Sequence, residues 1–191
     1  MTSVNLMILR RFQPNSRDRN IDDLYGAIVA QARSPVFYSD YGVPDTVQGR
    51  FDLIVLHLVL LIEHIGQDDG RGRGFGQRLF DVFCRDLDGN LREMGVGDLA
   101  VPKRMRAFGE AFYGRQAAYL AAFAAADAQE LEKALQRNIF QGGDVGQGAL
   151  RLANYVRAAR RQIEGQDDRA LVRGEIGFPQ PGSVAETIAH A

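Results

Sequence analysis

The sequence predicts an all-α protein, a single-domain bundle of about six helices with an extended aromatic loop at 35–44. Three observations carry that prediction. Apolar residues recur every three or four positions along most of the chain, the spacing that gathers them on one stripe of a helix. No stretch reads as a convincing strand. The run Phe51 to Ile62 is apolar nearly all round, so it belongs at the centre of whatever the other helices enclose. A chain of 191 residues fits one domain and buries about 70% of the surface its unfolded form exposes.

Asn20 can cap the first helix, whose Ile21, Leu24, Tyr25, Ile28, Val29 and Ala32 form one stripe before Ser34 and Pro35 end it. Residues 1–19 read as an irregular N-terminal segment. The stretch PVFYSDYGVP at 35–44 has two prolines, a glycine and three aromatics without helical period, hence the extended loop. Asp45 or Thr46 then caps the central helix, which runs to about Gly66, and the Gly, Asp and Arg repeats of 66–76 read as a polar linker. Leu79, Phe83, Leu87, Leu91 and Met94 mark the next helix. Val101, Met105, Phe108, Phe112, Tyr119 and Phe123 mark the one after it. Asp127 can cap a short helix to Phe140, and Asp144 or Gln147 a further one to Glu164. A short helical turn at 167–172 closes the domain, taken as 20–175, and 176–191 reads as a weakly packed tail.

The two longest patterns meet at a rigid corner. Gly95 can take the left-handed conformation that ends a helix, Gly97 permits a second bend, and Pro102 is tolerated in a first helical turn. Arg92, Glu93, Asp98, Lys103, Arg104 and Arg106 crowd the same few turns. A turn whose only task is reversal needs no such charge. Two readings stand: solvated ion pairs and cap contacts, or a recognition surface on a stiff scaffold.

Other surface candidates follow from residues that core packing does not claim. Phe37, Tyr38 and Tyr41 on the aromatic loop either fold over the core as a lid or contact a client. Beside the Phe112 stripe, Tyr113 is expected at the core edge and Arg115 near solvent. Gly114 between them costs a helix about 1 kcal/mol against Ala, which close approach by a neighbouring helix or a partner would explain. Arg151, Arg157, Arg160 and Arg161 place four cations before Glu164, a basic surface that either lies in solvent or touches anionic lipid, ribosomal RNA or an acidic loop.

Composition narrows the function classes. Lys plus Arg is 23 against 24 for Asp plus Glu, so no global basic field points to DNA. Only Lys103 and Lys133 are lysines. Cys84 is the sole cysteine, which rules out an intrachain disulfide and, on an apolar stripe, reads as a buried thiol. The most apolar run is too short to cross a bilayer, which takes roughly 20 residues. Leu6 to Leu9 is too short for a signal-peptide core, and Arg10 and Arg11 follow it where a signal would place them first.

Catalytic and metal constellations are weak. His57 and His64 share a helical face with Glu63 nearby, so a metal site is conceivable, but no Glu-x-x-His pair supports a di-iron centre. If Gly89 of DLDGN were the central glycine of a calcium loop, Cys84 and Gly95 would stand where carboxylates are required. No nucleophile elbow, phosphate loop or dinucleotide fingerprint occurs. No small-molecule substrate, metal or cofactor is expected, and no Cys-x-x-Cys-His points to haem.

Three blocks, VPDTVQGRFDLIVLH at 43–57, LREMGVGDLAVPKRM at 91–105 and AFYGRQAAY at 111–119, resemble the ubiquinol-cytochrome c chaperone family. The resemblance covers about Val43 to Phe123. It implies a non-enzymatic assembly factor that binds newly made cytochrome b and supports assembly of the respiratory cytochrome bc complex. It also implies a cytoplasmic protein of the bacterial form, near the inner membrane. The expected client surface is Phe37, Tyr38, Tyr41, Arg92, Asp98, Lys103, Arg104, Phe112, Tyr113 and Arg115. The rival readings are a helical metal- or haem-handling enzyme, and an adaptor for the ribosome or an anionic membrane.

Overall fold

Phe51 to Ile62 lies inside one twenty-residue helix, Val47–Gly66, and almost every side chain of that run is buried. The computed structural model describes residues 16–66, 71–143 and 146–183, without the side chains of 16–18 and 71–73. Within them run α1 (Ser16–Ala32), α2 (Val36–Ser39), α3 (Val47–Gly66), α4 (Arg71–Glu93), α5 (Val101–Ala124), α6 (Gln129–Asn138), α7 (Gly148–Glu164) and α8 (Asp168–Val172). No strand occurs among the described residues. The six expected helices are present, joined by the two short ones, α2 and α8.

The central helix α3 packs against α1, α4, α5 and α7. Around it α4 touches both α1 and α5, α5 touches α6, α6 touches α7, and α8 closes on α1. Burying a large side chain is worth about 1.5–3 kcal/mol, and α3 alone buries Phe51, Leu53, Val55, Leu56, Leu58, Val59, Leu60 and Leu61. It is therefore the element on which the rest of the fold is laid.

Several local expectations change. At 35–44 the chain makes a helical turn, α2, because Pro35 itself sits at helical angles (φ −57, ψ −30) and presets its start. The turn drives Phe37 and Tyr41 into the core, so the loop is a lid. Glycines hold that lid close: a Cβ on Gly49 would collide with the Pro44 carbonyl, and one on Gly148 with the Tyr41 carbonyl. The predicted linker is mostly helix, since α4 begins at Arg71 and buries Phe75 and Leu79; packing outweighs the poor helix propensity of its glycines. Residues 67–70 of that linker, the segment 1–15 and the Asp144 cap lie outside the described residues.

Asn20 does not cap α1, which starts at Ser16; its side chain donates to the Val172 carbonyl at 2.8 Å, tying α1 to α8. Thr46 does receive the Gly49 amide, Asp127 that of Gln129 and Asp167 that of Arg169. Cys84 is only half buried. The tail expected to pack weakly instead returns to the core as far as Ser183 is described: Pro181 is buried, and its carbonyl accepts from the Tyr41 hydroxyl at 2.7 Å.

Candidate functional site

The α4–α5 corner is built by backbone bonds before any side chain acts. Gly95 sits at φ +77, and the amides of Gly95 and Val96 donate to the carbonyls of Arg92 and Leu91, the paired bonds that terminate a helix at a left-handed residue. The amides of Ala100 and Val101 both return to Gly97, starting α5 with Pro102 in its first turn. Arg92 spans the corner, bonding Asp88 at 2.6 Å and Asp98 at 2.5 Å. All three are solvated, so this is a surface tie of small energetic weight. Lys103 and Arg104 are also exposed. What the corner displays most is apolar: Leu99 is 98% exposed and Met94 62% exposed.

A second exposed apolar stretch lies farther along α5, past the exposed Lys103, Arg104, Arg106 and Glu110. From Ala111 to Ala126 the only charged residue is Arg115. Tyr113, Ala117, Leu120 and Ala124 step along one solvent-facing flank, with Tyr113 55% and Leu120 38% exposed. A Cβ added to Gly114 would meet nothing within 4 Å. Close packing inside the bundle therefore does not account for that glycine. Tyr113 is farther into solvent than the core edge where the sequence placed it, while Phe112 is buried and forms no part of the surface.

Arg115 reverses the expectation that it lies near solvent. Its side chain is 18% exposed and turned inward, and Nε stands 2.7 Å from Oδ1 of Asp52, which is wholly buried on α3. Nε has no directed hydrogen bond, so the contact is an ion pair set by proximity, with the guanidinium also 5.8 Å from the Phe51 ring centroid. Asp52 Oδ1 accepts from Gln48 at 3.0 Å, while Oδ2 and the buried Tyr119 hydroxyl on α5 have no hydrogen-bond partner among the described residues. Burial raises the Asp52 carboxyl to about 6, against the opposing pull of Arg115 and Gln48. The pair places the one charge of the stretch 111–126 inside the α3–α5 interface, and so leaves the outer flank of that stretch uncharged.

The remaining candidates divide between lid and scaffold. Phe37 and Tyr41 are buried, and the half-buried Tyr38 donates to the Ala32 carbonyl at 2.8 Å, so these aromatics serve the lid. Three of the four arginines on α7 hold neighbouring elements. Arg151 donates to the Asp40 carbonyl, Arg157 to the Ala128 carbonyl, and Arg160 pairs with Glu63 at 3.2 Å beneath the Phe123 ring. Arg161 is exposed. His57 and His64 do not converge: His57 is buried between the Leu53 carbonyl and the Tyr155 hydroxyl, and His64 lies 3.5 Å from Asp168. Among the described residues no group of three His, Cys, Asp or Glu is placed to hold a metal.

The family model for ubiquinol-cytochrome C chaperone matches residues 39–178, the span from the aromatic lid through the corner and α5 to the returning tail. This chain belongs to the ubiquinol-cytochrome c chaperone family. The fold agrees: the crystal structure of the Cbp3 homolog from Brucella abortus is similar with a TM-score of 0.79 at 35% identity, covering 93% of this chain and 97% of that one. No curated protein matches this sequence. Membership in the ubiquinol-cytochrome c chaperone family gives the chain a chaperone role in assembling that complex. No helix among the described residues is long and apolar enough to cross a membrane.

Sequence reasoning missed Asp52 as a site residue. The signal was available, because Asp52 is the only carboxylate between Asp45 and Glu63, on the most apolar helix, and Arg115 is the only charge between Glu110 and Asp127. Two such opposite charges have strong reason to meet.

Proposed function

We propose that this chain is a non-enzymatic chaperone that holds newly made cytochrome b for assembly into the respiratory cytochrome bc complex, acting in a bacterial cytoplasm beside the inner membrane. Its client surface is the α4–α5 corner and the outer flank of α5. The supporting observation is the uncharged flank of Tyr113, Gly114, Ala117, Leu120 and Ala124, with Leu99 and Met94 beyond it at the corner. A client of long apolar helices aggregates when its surfaces are bare, and a flank of small residues lets a helix of that client approach closely while Tyr113 and Leu120 supply contact area. Lys103, Arg104 and the Arg92–Asp98 tie rim this flank and give register. The ribosome or anionic-membrane reading has less support, since Arg151, Arg157 and Arg160 are engaged within the fold.

The test is to replace Leu120 by Asp and Tyr113 by Asp in cells making cytochrome b. Both variants are expected to keep wild-type helical content and thermal midpoint but to lose co-purified cytochrome b and lower its steady-state amount. Folded variants with undiminished cytochrome b would remove α5 from the client surface.

A further inference from the structure

The returning C-terminal segment lies on the body in a way that resembles a bound peptide more than a packed tail. Residues 175–180 have no regular secondary structure. The Gln166 carboxamide meets one residue twice: Nε2 donates to the Gly177 carbonyl at 2.9 Å and Oε1 accepts the Gly177 amide at 2.7 Å. The amide and carbonyl of one extended residue point the same way, so a single carboxamide acts here as a neighbouring strand does. Gln31 then donates to the Pro179 carbonyl at 3.0 Å and Tyr41 to the Pro181 carbonyl at 2.7 Å. Carbonyls 177 and 179 are thus held in alternation, the period of an extended chain, and that of Pro181 is held where the chain turns helical.

Between these anchors the groove reads side chains at two places. Phe178 presents its ring edge-on to His57, 5.2 Å between centroids at 86°, in an aromatic floor completed by Phe37, Tyr41 and Tyr155. Pro181 is buried, and a Cβ on Gly177 would come within 3.3 Å of Gln162. The floor is fixed by a relay: Gln31 donates to the Tyr155 hydroxyl at 2.9 Å, that hydroxyl donates to His57 Nε2 at 2.8 Å, and His57 Nδ1 donates to the Leu53 carbonyl at 2.7 Å. This pattern requires neutral His57, consistent with burial lowering its pKa to about 4. Every one of these polar contacts to the segment goes to its main chain, which any extended polypeptide offers.

We infer that the groove between α1, α3 and α7 is a binding site for an extended segment of pattern Gly-aromatic-Pro-x-Pro, occupied in cis by residues 177–181 and open to the same pattern in another polypeptide. The occupant in cis is covalently attached and present at high effective concentration, so it acts as a gate that a competing segment displaces. The inference rests on the strap's own contacts and stands apart from the client surface on α5.

A dye-labelled synthetic peptide spanning residues 174–184 is titrated into the full-length wild type and into full-length Phe178→Ala, with hydrogen exchange of the Gly177 amide as the second readout. The strap of Phe178→Ala is expected to lose Gly177 protection, and the peptide to bind that variant at least tenfold more tightly than wild type. A peptide carrying Ala at the Phe178 position is expected to bind poorly to both. Should Phe178→Ala not fold, Pro181→Asp releases the strap at its buried far end, leaves every groove residue unchanged and is read in the same way. Unchanged Gly177 exchange in the folded variant, a released strap without peptide binding, or equal binding of the Ala peptide would each overturn the inference.

Discussion

Replacing Arg115 by Met leaves the buried Asp52 carboxyl without its cation, and the cost has a distinctive dependence on pH. In the wild type Asp52 titrates at about 6 against a usual 3.8. The folded state therefore binds that proton more tightly than the unfolded one. The stability this group contributes is fully present below about pH 4 and is lost as pH rises through 6, a loss of about 3 kcal/mol when complete. Without Arg115 the carboxyl rises further and simply keeps its proton, which limits the damage. The extra cost of Arg115→Met is then close to zero at pH 5, about 1 kcal/mol at pH 7 and about 3 kcal/mol at pH 8. For a domain of this size that is a midpoint lower by about 2–4 °C at pH 7 and about 6–12 °C at pH 8. Urea unfolding of both proteins at pH 5, 6, 7 and 8 measures the difference directly. Adding Asp52→Asn to the variant is expected to abolish its growth with pH. A loss of the same size at every pH, or one larger at pH 5 than at pH 8, would refute the assignment of Asp52 as the buried, Arg115-compensated acid.

Other expectations follow from single contacts. His57 behaves oppositely to Asp52: its folded value of about 4 lies below the usual 6.5, so its contribution is present above pH 6.5 and lost as pH falls towards 4. His57→Gln should then lose up to about 3 kcal/mol less than wild type over that interval, read by urea unfolding at its two ends. Gly148→Ala forces a Cβ against the Tyr41 carbonyl and is expected to destabilise by about 2 kcal/mol or more, seen as a lower thermal midpoint with the lid amides exchanging faster. Arg92→Ala removes only solvated pairs and should leave the midpoint unchanged; a clear drop would show that the corner depends on that arginine.

The helices were legible because their information is local. Thr46, Asp127 and Asp167 each carry a cap within three residues of the amide they accept, and Gly95 announces its own turn. The long patterns of α3, α4 and α5 repeat enough times to be read without neighbours. What escaped was settled by distant partners. Arg115 turns inward because Asp52 waits on α3, Asn20 is drawn from capping by Val172, and the tail is caught by Gln31 and Tyr41 far back in the chain. The start of α4 was hidden for a related reason, since its glycine-rich first turns are held by the burial of Phe75 and Leu79. Of the proposed client surface, the sequence singles out Tyr113 and the corner charges. It does not single out Leu99 or Leu120, and it counts Met94 as core, because an apolar residue in a helical stripe reads as core until the partner that should cover it proves absent.

Site-specific photo-crosslinking tests the central claim most directly. A photoreactive amino acid is placed at Leu120, at Leu99 and, as a control on α7, at Arg161, in cells producing cytochrome b. The account predicts a covalent adduct with newly made cytochrome b from Leu120 and Leu99 and none from Arg161. Cytochrome b captured from Arg161 but from neither apolar position would contradict it.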